Sequence, residues 1–284
     1  MFSAGTMFSV MTLPAELLAQ LPPSVVPGGV AGALARAVGA DFGQAAAGLQ
    51  AAGLQAASSQ ALRLGLPLDA LLPDGGLPRG AVVEMAISGA AALGTSVALA
   101  ACQAAQRSQL FAGSPAAWCA FVDPTGSLYA PAAVQAGVSL ERLLVLRPSA
   151  EALSRTALRL VESQVFPLVV IDLAGVPGKP LDIALAGWAR VVRRLAIAVE
   201  QTESSVLLIT DAAAARPLPL PVAQRFELSL HADLLSVRIA KDRRGRVMGP
   251  RKVRASAMRS AAAANAACAH TNTELGHAQQ QLSA

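Results

Sequence analysis

Two glycines and a serine occupy three of the positions that a phosphate-binding loop requires. Such a loop reads G-x-x-x-x-G-K-[ST] between a strand and a helix: its backbone amides surround the phosphates, its lysine neutralises their charge and its hydroxyl holds Mg²⁺. The chain has Gly89, Gly94, Thr95 and Ser96 in this order, so that threonine replaces the lysine. The spacing therefore predicts a degenerate nucleotide-binding loop that keeps its amides but lacks its main positive charge.

The glycine spacing also has a simpler interpretation. The chain contains 23 glycines, so two glycines at this spacing can arise by chance. Their position between an apolar run and an alanine-rich helical pattern favours the phosphate-binding interpretation. Both interpretations stay open on the sequence alone.

Asp172 is the second candidate for nucleotide chemistry, because it follows the apolar run Leu-Val-Val-Ile. In nucleotide-hydrolysing proteins an acid at the end of a buried strand holds Mg²⁺. A strand-end aspartate can equally cap a turn, because its side chain accepts a hydrogen bond from a nearby backbone amide. The sequence leaves the Mg²⁺ role and the turn role open.

Positive charge is concentrated near the C-terminus. Between residues 238 and 259 nine basic residues face one acid, whereas the whole chain carries only +5. This segment is therefore the candidate surface for a partner protein or for DNA, and its alternative is a solvated basic hairpin. The candidate residues are Lys241, Arg243, Arg244, Arg246, Arg251, Lys252 and Arg254.

Short apolar runs that alternate with helical patterns must position these residues. The predicted strands cover residues 81–88, 117–123, 143–146, 168–173 and 205–210. The predicted helices cover residues 95–108, 127–137, 150–164 and 180–203. Fully apolar strands that alternate with helices predict an α/β fold with a parallel sheet covered on both faces. Two alternating runs, 225–231 and 234–240, predict an antiparallel pair that closes one edge of the sheet.

Composition divides the chain into three parts. Residues 1–61 predict a small helical segment, and residues 62–248 form the α/β core. Residues 249–284 read as a basic and then low-complexity tail. We expect disorder after Ala255, because so few large apolar residues cannot offset the entropy of ordering the chain.

The cysteines and the apolar runs predict a cytoplasmic protein without a membrane span. Cys102, Cys119 and Cys268 are odd in number and widely spaced, so they form neither a disulfide framework nor a zinc pattern. No basic residue precedes the apolar N-terminal stretch, which argues against a secretory signal. The uncharged run 85–106 contains too many polar and small residues for a membrane helix, and it fits a strand, a loop and a helix.

Residues 66–85, LPLDALLPDGGLPRGAVVEM, resemble the approach to the core of bacterial RecA. There a Leu-x-Leu-Asp turn and a Gly-Gly-Leu-Pro-x-Gly turn lead into a Val-Glu strand and then the P-loop. The similarity continues through residues 120–123, 137–138, 143–144, Asp172 and 237–243. It covers residues 62–243 through separate motifs, and it implies a RecA-like P-loop core with a mainly parallel twisted sheet.

The departures from RecA imply a pseudo-ATPase with no catalytic residue, no bound cofactor and no metal. The glutamate that RecA places two residues after the aspartate matching Asp123 is Thr125 here. Its nucleotide-sensing Asn-Gln pair corresponds to Thr210 and Asp211. The two DNA-binding loops look shortened. Lys241 and Arg243 match two lysines that, in RecA filaments, reach the nucleotide of the neighbouring subunit.

A RecA-like chain with degenerate nucleotide motifs and a basic, low-complexity C-terminus resembles the ImuA family. That family accompanies the ImuB protein and an error-prone polymerase in damage-induced mutagenesis. The resemblance implies a non-catalytic accessory protein of the SOS response, with RecA, ImuB and the polymerase as partners and at most weak, non-specific DNA binding. Two alternatives are an active DNA-dependent ATPase with an atypical P-loop and a SulA-like inhibitor of cell division.

Overall fold

Eight strands of the described residues form one sheet. Their bounds are β1 Ala81–Ser88, β2 Cys119–Val122, β3 Leu143–Leu146, β4 Leu168–Asp172, β5 Ser205–Asp211, β6 Gln224–His231, β7 Leu234–Asp242 and β8 Met248–Arg254. Their order across the sheet is β3-β2-β4-β5-β1-β6-β7-β8. Neighbours from β3 to β6 are parallel, and β6, β7 and β8 pair antiparallel. The predicted parallel sheet and its antiparallel edge are confirmed, and β8 adds a strand that the sequence analysis missed.

The computed structural model describes residues 61–89, 93–107, 117–176, 181, 183, 185–214 and 219–267. All of them belong to one compact unit, residues 58–284. The predicted N-terminal helical segment, residues 1–61, lies outside the described residues except for Ala61.

Helices cover both faces of the sheet, as the apolar strands predict. Their bounds are α1 Gly94–Arg107, α2 Ala130–Gln135, α3 Ala150–Glu162, α4 Leu185–Val199 and α5, residues 255–267. Short 3-10 helices cover Pro67–Leu71 and Leu140–Arg142. The helix predicted for 180–203 is therefore shorter than expected at both ends.

Alternate strand residues supply two separate apolar layers, because successive side chains of a strand point to opposite faces. The first layer packs β1 and its neighbours against α1 and α5, and the second packs the same strands against α3 and α4. The first includes Val83, Met85, Phe121, Val170, Phe226, Val97, Cys102 and Met258. The second includes Val82, Val122, Ile171, Leu208, Leu153, Trp188 and Val192.

The uncharged run 85–106 is divided as the sequence predicts: β1 ends at Ser88 and α1 begins at Gly94. Among the described residues no helix is long and apolar enough to cross a membrane. Cys102 and Cys119 are fully buried, and the Cys119 thiol donates to the carbonyl of Cys102 at 3.5 Å. The neighbouring Cys102 side chain and burial raise the pKa of Cys119 well above its usual value.

The expectation of disorder after Ala255 is wrong for residues 255–267, which form α5. One large apolar side chain, Met258, is sufficient there, because the small residues around it let the helix approach the core closely. Ala255, Met258 and Ala266 are buried, and Asn265 donates to the Gly65 carbonyl at 3.0 Å. Likewise, residues 249–254 of the region assigned to the tail belong to the last strand of the sheet, Met248–Arg254. Residues 268–284 lie outside the described part of the chain.

Candidate functional site

The candidate nucleotide residues meet at the carboxyl-terminal edge of the parallel sheet, where the carboxyl ends of its strands lie side by side. Ile87 pairs with Asp211 between β1 and β5, and Asp172 pairs with Ile209 between β4 and β5. Gly89, directly after β1, and Asp172 therefore lie at the same edge, with β5 between their strands. The fold brings together the loop and the acid that the sequence singled out.

Each glycine of the loop has a structural reason of its own. Gly89 has φ +82°, in the left-handed region that favours glycine. A Cβ on Gly94 would lie 2.9 Å from Ile87 Cγ2, so the start of α1 approaches β1 too closely for a side chain. The two glycines are therefore required by the strand-to-helix turn, whether or not a phosphate binds there. Residues 90–92 lie outside the described residues.

Thr95 and Ser96 are exposed in the first turn of α1. The first amides of a helix have no partner inside the helix, and together with the helix dipole they favour anions. This end of α1 can offer amides and two hydroxyl groups to a phosphate. It cannot offer the ammonium group that the motif normally supplies at position 95.

Asp123 is fully buried directly after β2, and its carboxylate organises the following turn. It accepts hydrogen bonds from the Ser127 amide at 3.0 Å, the Ser127 hydroxyl at 3.2 Å and the Leu128 amide at 2.9 Å. The hydroxyl of Thr125, which stands at the position of the expected glutamate, also donates to it at 3.3 Å. Position 125 therefore supports a neighbouring acid and offers no carboxylate to activate water.

Asp172 is almost entirely buried and makes the turn contact that the sequence left as one alternative. Its Oδ1 accepts a hydrogen bond from the Ala174 amide at 3.0 Å. Burial raises the pKa of Asp172 to about 6, and the charge of Asp123 adds to the rise, while backbone donors from Ala174 and Gly175 oppose it. Among the described residues no group of three or more His, Cys, Asp or Glu side chains could hold a metal ion.

A polar network that is buried at Glu84 and Thr210 and reaches the surface at Arg238 crosses four neighbouring strands, and the sequence analysis did not find it. The Thr210 hydroxyl donates to Glu84 Oε1 at 2.8 Å, and Arg225 Nη1 lies 3.7 Å from the same oxygen. Arg225 also pairs with Glu227 at 3.2 Å, and Glu227 pairs with Arg238 at 3.3 Å. Thr210, at the expected sensor position, is thus engaged inside the protein. The available signal was an acid, Glu84, within an otherwise apolar strand.

Two of the predicted partner-binding arginines are engaged inside the protein. Arg246 makes a two-pronged contact with Asp74, at 2.7 and 2.8 Å, and a further contact with Asp242 at 2.8 Å. These hydrogen bonds raise the pKa of Arg246 and lower the pKa of both aspartates. Arg244 also reaches Asp74, at 3.2 Å. Arg244 and Arg246 therefore fasten the turn between β7 and β8 to the turn that follows the first 3-10 helix.

The two residues that match the RecA lysines differ in their exposure. Lys241 is half-buried, and its Nζ donates to the Leu220 carbonyl at 3.1 Å. Arg243 is exposed in the turn after β7, and its backbone amide donates to the Ala223 carbonyl at 2.8 Å. Only the Arg243 side chain of this pair is therefore fully presented at the surface.

The remaining predicted cations lie on β8. Arg251, Lys252 and Arg254 are exposed, and none of them forms a salt bridge within the described part of the chain. The predicted basic surface is therefore smaller than the sequence suggests and consists of Arg243 and the last strand of the sheet.

No protein-family model and no curated protein matches this chain. Among solved structures it is similar to the RadB recombinase, with a TM-score of 0.53 and 17% sequence identity. The similarity covers 68% of this chain and 95% of that chain. At this identity the likeness shows the fold, and the protein has a RecA-like α/β core.

Proposed function

We propose that the protein is a non-catalytic RecA-like accessory protein of the DNA-damage response, which acts by binding other proteins. One observation supports this most directly. At the carboxyl-terminal edge of the sheet, where a nucleotide would bind, Thr95 stands in place of a lysine. Thr125 stands where RecA has a catalytic carboxylate, and its hydroxyl donates to Asp123. The proposal implies a cytoplasmic location, since damage-response proteins act on the chromosome there.

The physical argument rests on what phosphoryl transfer needs. Its catalysis consists almost entirely of positioning and of charge stabilisation at the phosphates. Without the lysine, the amides at the start of α1 remain as phosphate ligands. Without an acid at position 125, no described side chain at this edge stands where RecA places its general base. The engagement of Thr210 with buried Glu84 further supports a protein that does not sense nucleotide.

The resemblance to the ImuA family supports RecA, ImuB and an error-prone polymerase as partners. A RecA filament grows through a head-to-tail interface that needs two competent faces on each subunit. This chain can offer Arg243 to the nucleotide face of a RecA subunit but offers no competent nucleotide site in return. Such a one-sided joint would cap or interrupt a RecA filament.

An active DNA-dependent ATPase is the second candidate, and one arrangement favours it. Ser96 lies in the first turn of α1, and Asp172 lies beside Asp123 at the same strand edge. A hydroxyl and an acid in these places are the groups that hold Mg²⁺ in P-loop proteins. Measurable Mg-ATP affinity would favour this candidate.

The proposed effect on RecA is tested by adding the full-length protein to RecA filaments on single-stranded DNA. We expect RecA's ATPase and strand-exchange rates to change, and the change to be smaller with Arg243→Glu. The matched control is Arg193→Glu, which reverses an exposed charge on α4. If the unmodified protein left both rates untouched, RecA would be removed from the proposed partners and ImuB would remain.

A further inference from the structure

The outer edge of β8 presents backbone groups that no strand of the described residues pairs with. β8 is the last strand in the sheet order. The Ala255 amide donates to the Asp233 carbonyl at 2.8 Å, and inward and outward backbone groups alternate along an antiparallel strand. Arg251 and Val253 therefore direct their N–H and C=O groups toward β7. Lys252 and Arg254 direct theirs away from the sheet.

The side chains of this edge alternate in chemistry as well as in direction. Lys252 lies opposite Ser236 in the register of β7 and β8, and Val253 lies opposite the buried Leu235. Since successive side chains point to opposite faces, Lys252 and Arg254 share one face of the sheet and Val253 lies on the other. The exposed edge thus carries two cations on one face with a half-buried valine between them on the opposite face.

Pro250 limits the length of this edge. Proline has no N–H to offer a neighbouring strand, so it is tolerated at sheet edges and ends strand pairing there. The register between β7 and β8 is also irregular between Val237 and Ile239, just before this point. The open edge is therefore short and centred on residues 252–254.

We propose that this edge binds an extended acidic segment of a partner protein, which joins the sheet as a further strand. In such binding the backbone hydrogen bonds provide affinity and alternate side chains provide specificity. Carboxylates at positions i and i+2 of the added strand would lie beside Lys252 and Arg254, and opposite charges across strands are stabilising. The residue between them would lie beside Val253. The recognised pattern is therefore acidic, apolar, acidic.

Protein fits this edge better than nucleic acid. Proteins that bind single-stranded nucleic acid stack the bases on aromatic side chains, and neither β7 nor β8 contains an aromatic residue. Leu234, which pairs with Arg254, is 42% exposed and adds apolar surface beside the cation. These features do not depend on whether the protein binds ATP or RecA.

The test uses the full-length protein and a fluorescein-labelled peptide, Glu-Val-Glu-Val-Glu-Val-Glu, in fluorescence anisotropy. We expect saturable binding. A peptide of the same sequence with N-methyl groups on alternate residues keeps every charge but loses half of its N–H donors. It should bind at least about tenfold more weakly. Absence of binding by the unmethylated peptide, or equal binding by both, would overturn the proposal.

Matched variants separate backbone pairing from charge. Lys252→Gln removes only the ammonium group, whereas Lys252→Pro also removes an outward N–H without touching the pairing to β7. Lys252→Pro should therefore bind at least about fivefold more weakly than Lys252→Gln. Lys252→Glu with Arg254→Glu should weaken binding at least about tenfold. The matched control is Arg193→Glu, an exposed cation on α4 away from this edge, which should leave affinity within about twofold. An affinity loss of equal size in the control would show general charge attraction and contradict an edge site.

An oligothymidine of equal charge separates the two kinds of macromolecule. We expect it to compete poorly with the peptide, and the Lys252→Pro and Lys252→Gln variants to bind it equally. If oligothymidine displaced the peptide at equal concentration and its binding fell steeply with salt, the edge would be a nucleic-acid contact. That outcome would overturn the proposal.

Discussion

Among single residues, Asp172 links the candidate site to the stability of the fold. Its pKa is raised from 3.8 to about 6, mainly by burial. An acid with a raised pKa stabilises the folded state most when it is protonated. Its contribution is complete below about pH 4 and is lost as the pH rises through about 6. Burying this carboxylate therefore costs stability at neutral pH, which is a common property of functional sites.

We predict that Asp172→Asn removes this pH dependence. Between pH 4 and pH 8 the free energy of unfolding of the variant should rise relative to the unmodified protein by up to about 3 kcal/mol. Urea denaturation at both pH values measures this. The matched control is Asp211→Asn, because Asp211 makes an equivalent turn hydrogen bond to the Ala213 amide at 2.8 Å. A difference that stays constant with pH would contradict the raised pKa.

A second prediction at the residue scale concerns Arg246, because its side chain joins two aspartates that are far apart in the sequence. Arg246→Ala should lower the free energy of unfolding by about 1–2 kcal/mol, since a two-pronged arginine contact is stronger than a simple surface pair. Arg243→Ala, three residues earlier and exposed, should change it by less than about 0.5 kcal/mol. Urea denaturation of both variants at pH 7 measures the difference. Equal effects would mean that Arg246 does not fasten the turn.

Among the elements, strands β1 to β7 could be predicted from the sequence, whereas β8 and α5 could not. Runs such as 119–122 and 168–171 are uniformly apolar because a parallel strand is buried on both faces, so the pattern itself marks the element. Helix α5 is rich in alanine, and its packing depends on a surface that only the fold creates. A Cβ on Gly137 would lie 2.7 Å from Ala266 Cα, so the helix passes directly over a glycine. No local pattern in residues 255–267 indicates this contact.

We predict that α5 contributes to the stability of the core. Met258 is 4% exposed within the first apolar layer, so Met258→Ala should cost about 2–4 kcal/mol of unfolding free energy. The matched control is Ser260→Ala in the same helix, an exposed position where the change should stay below about 0.5 kcal/mol. Thermal and urea unfolding measure both. If Met258→Ala were as mild as the control, α5 would not pack on the sheet in solution.

For the whole molecule, motifs and alternation were sufficient to predict a RecA-like fold, while the contacts inside it depend on topology. Glu84 and Thr210 are 126 residues apart, and Asp74 and Arg246 are 172 apart. They meet because β1 lies between β5 and β6 and because the β7–β8 turn reaches the turn before β1. The sequence therefore predicted Arg244 and Arg246 as free cations, although both are paired. It also missed the role of Thr210 in the buried network.

For the whole molecule we propose a RecA-like protein that uses its surfaces rather than a nucleotide. A functional site can be lost while the fold that carries it is kept. The parallel sheet keeps Asp123 and Asp172 because both also serve turns. Thr95 and Thr125 stand where no turn requires a charged residue. The two aspartates therefore serve the fold whether or not ATP binds.

Titration of the full-length protein with Mg-ATP in a calorimeter, followed by an assay for phosphate release, tests the central claim most directly. The account predicts no measurable heat of binding at micromolar protein and no turnover, because the charge at position 95 and the base at position 125 are both missing. Thr95→Lys alone should restore some binding but no turnover. Micromolar affinity for Mg-ATP in the unmodified protein, or phosphate release above the buffer rate, would contradict the account.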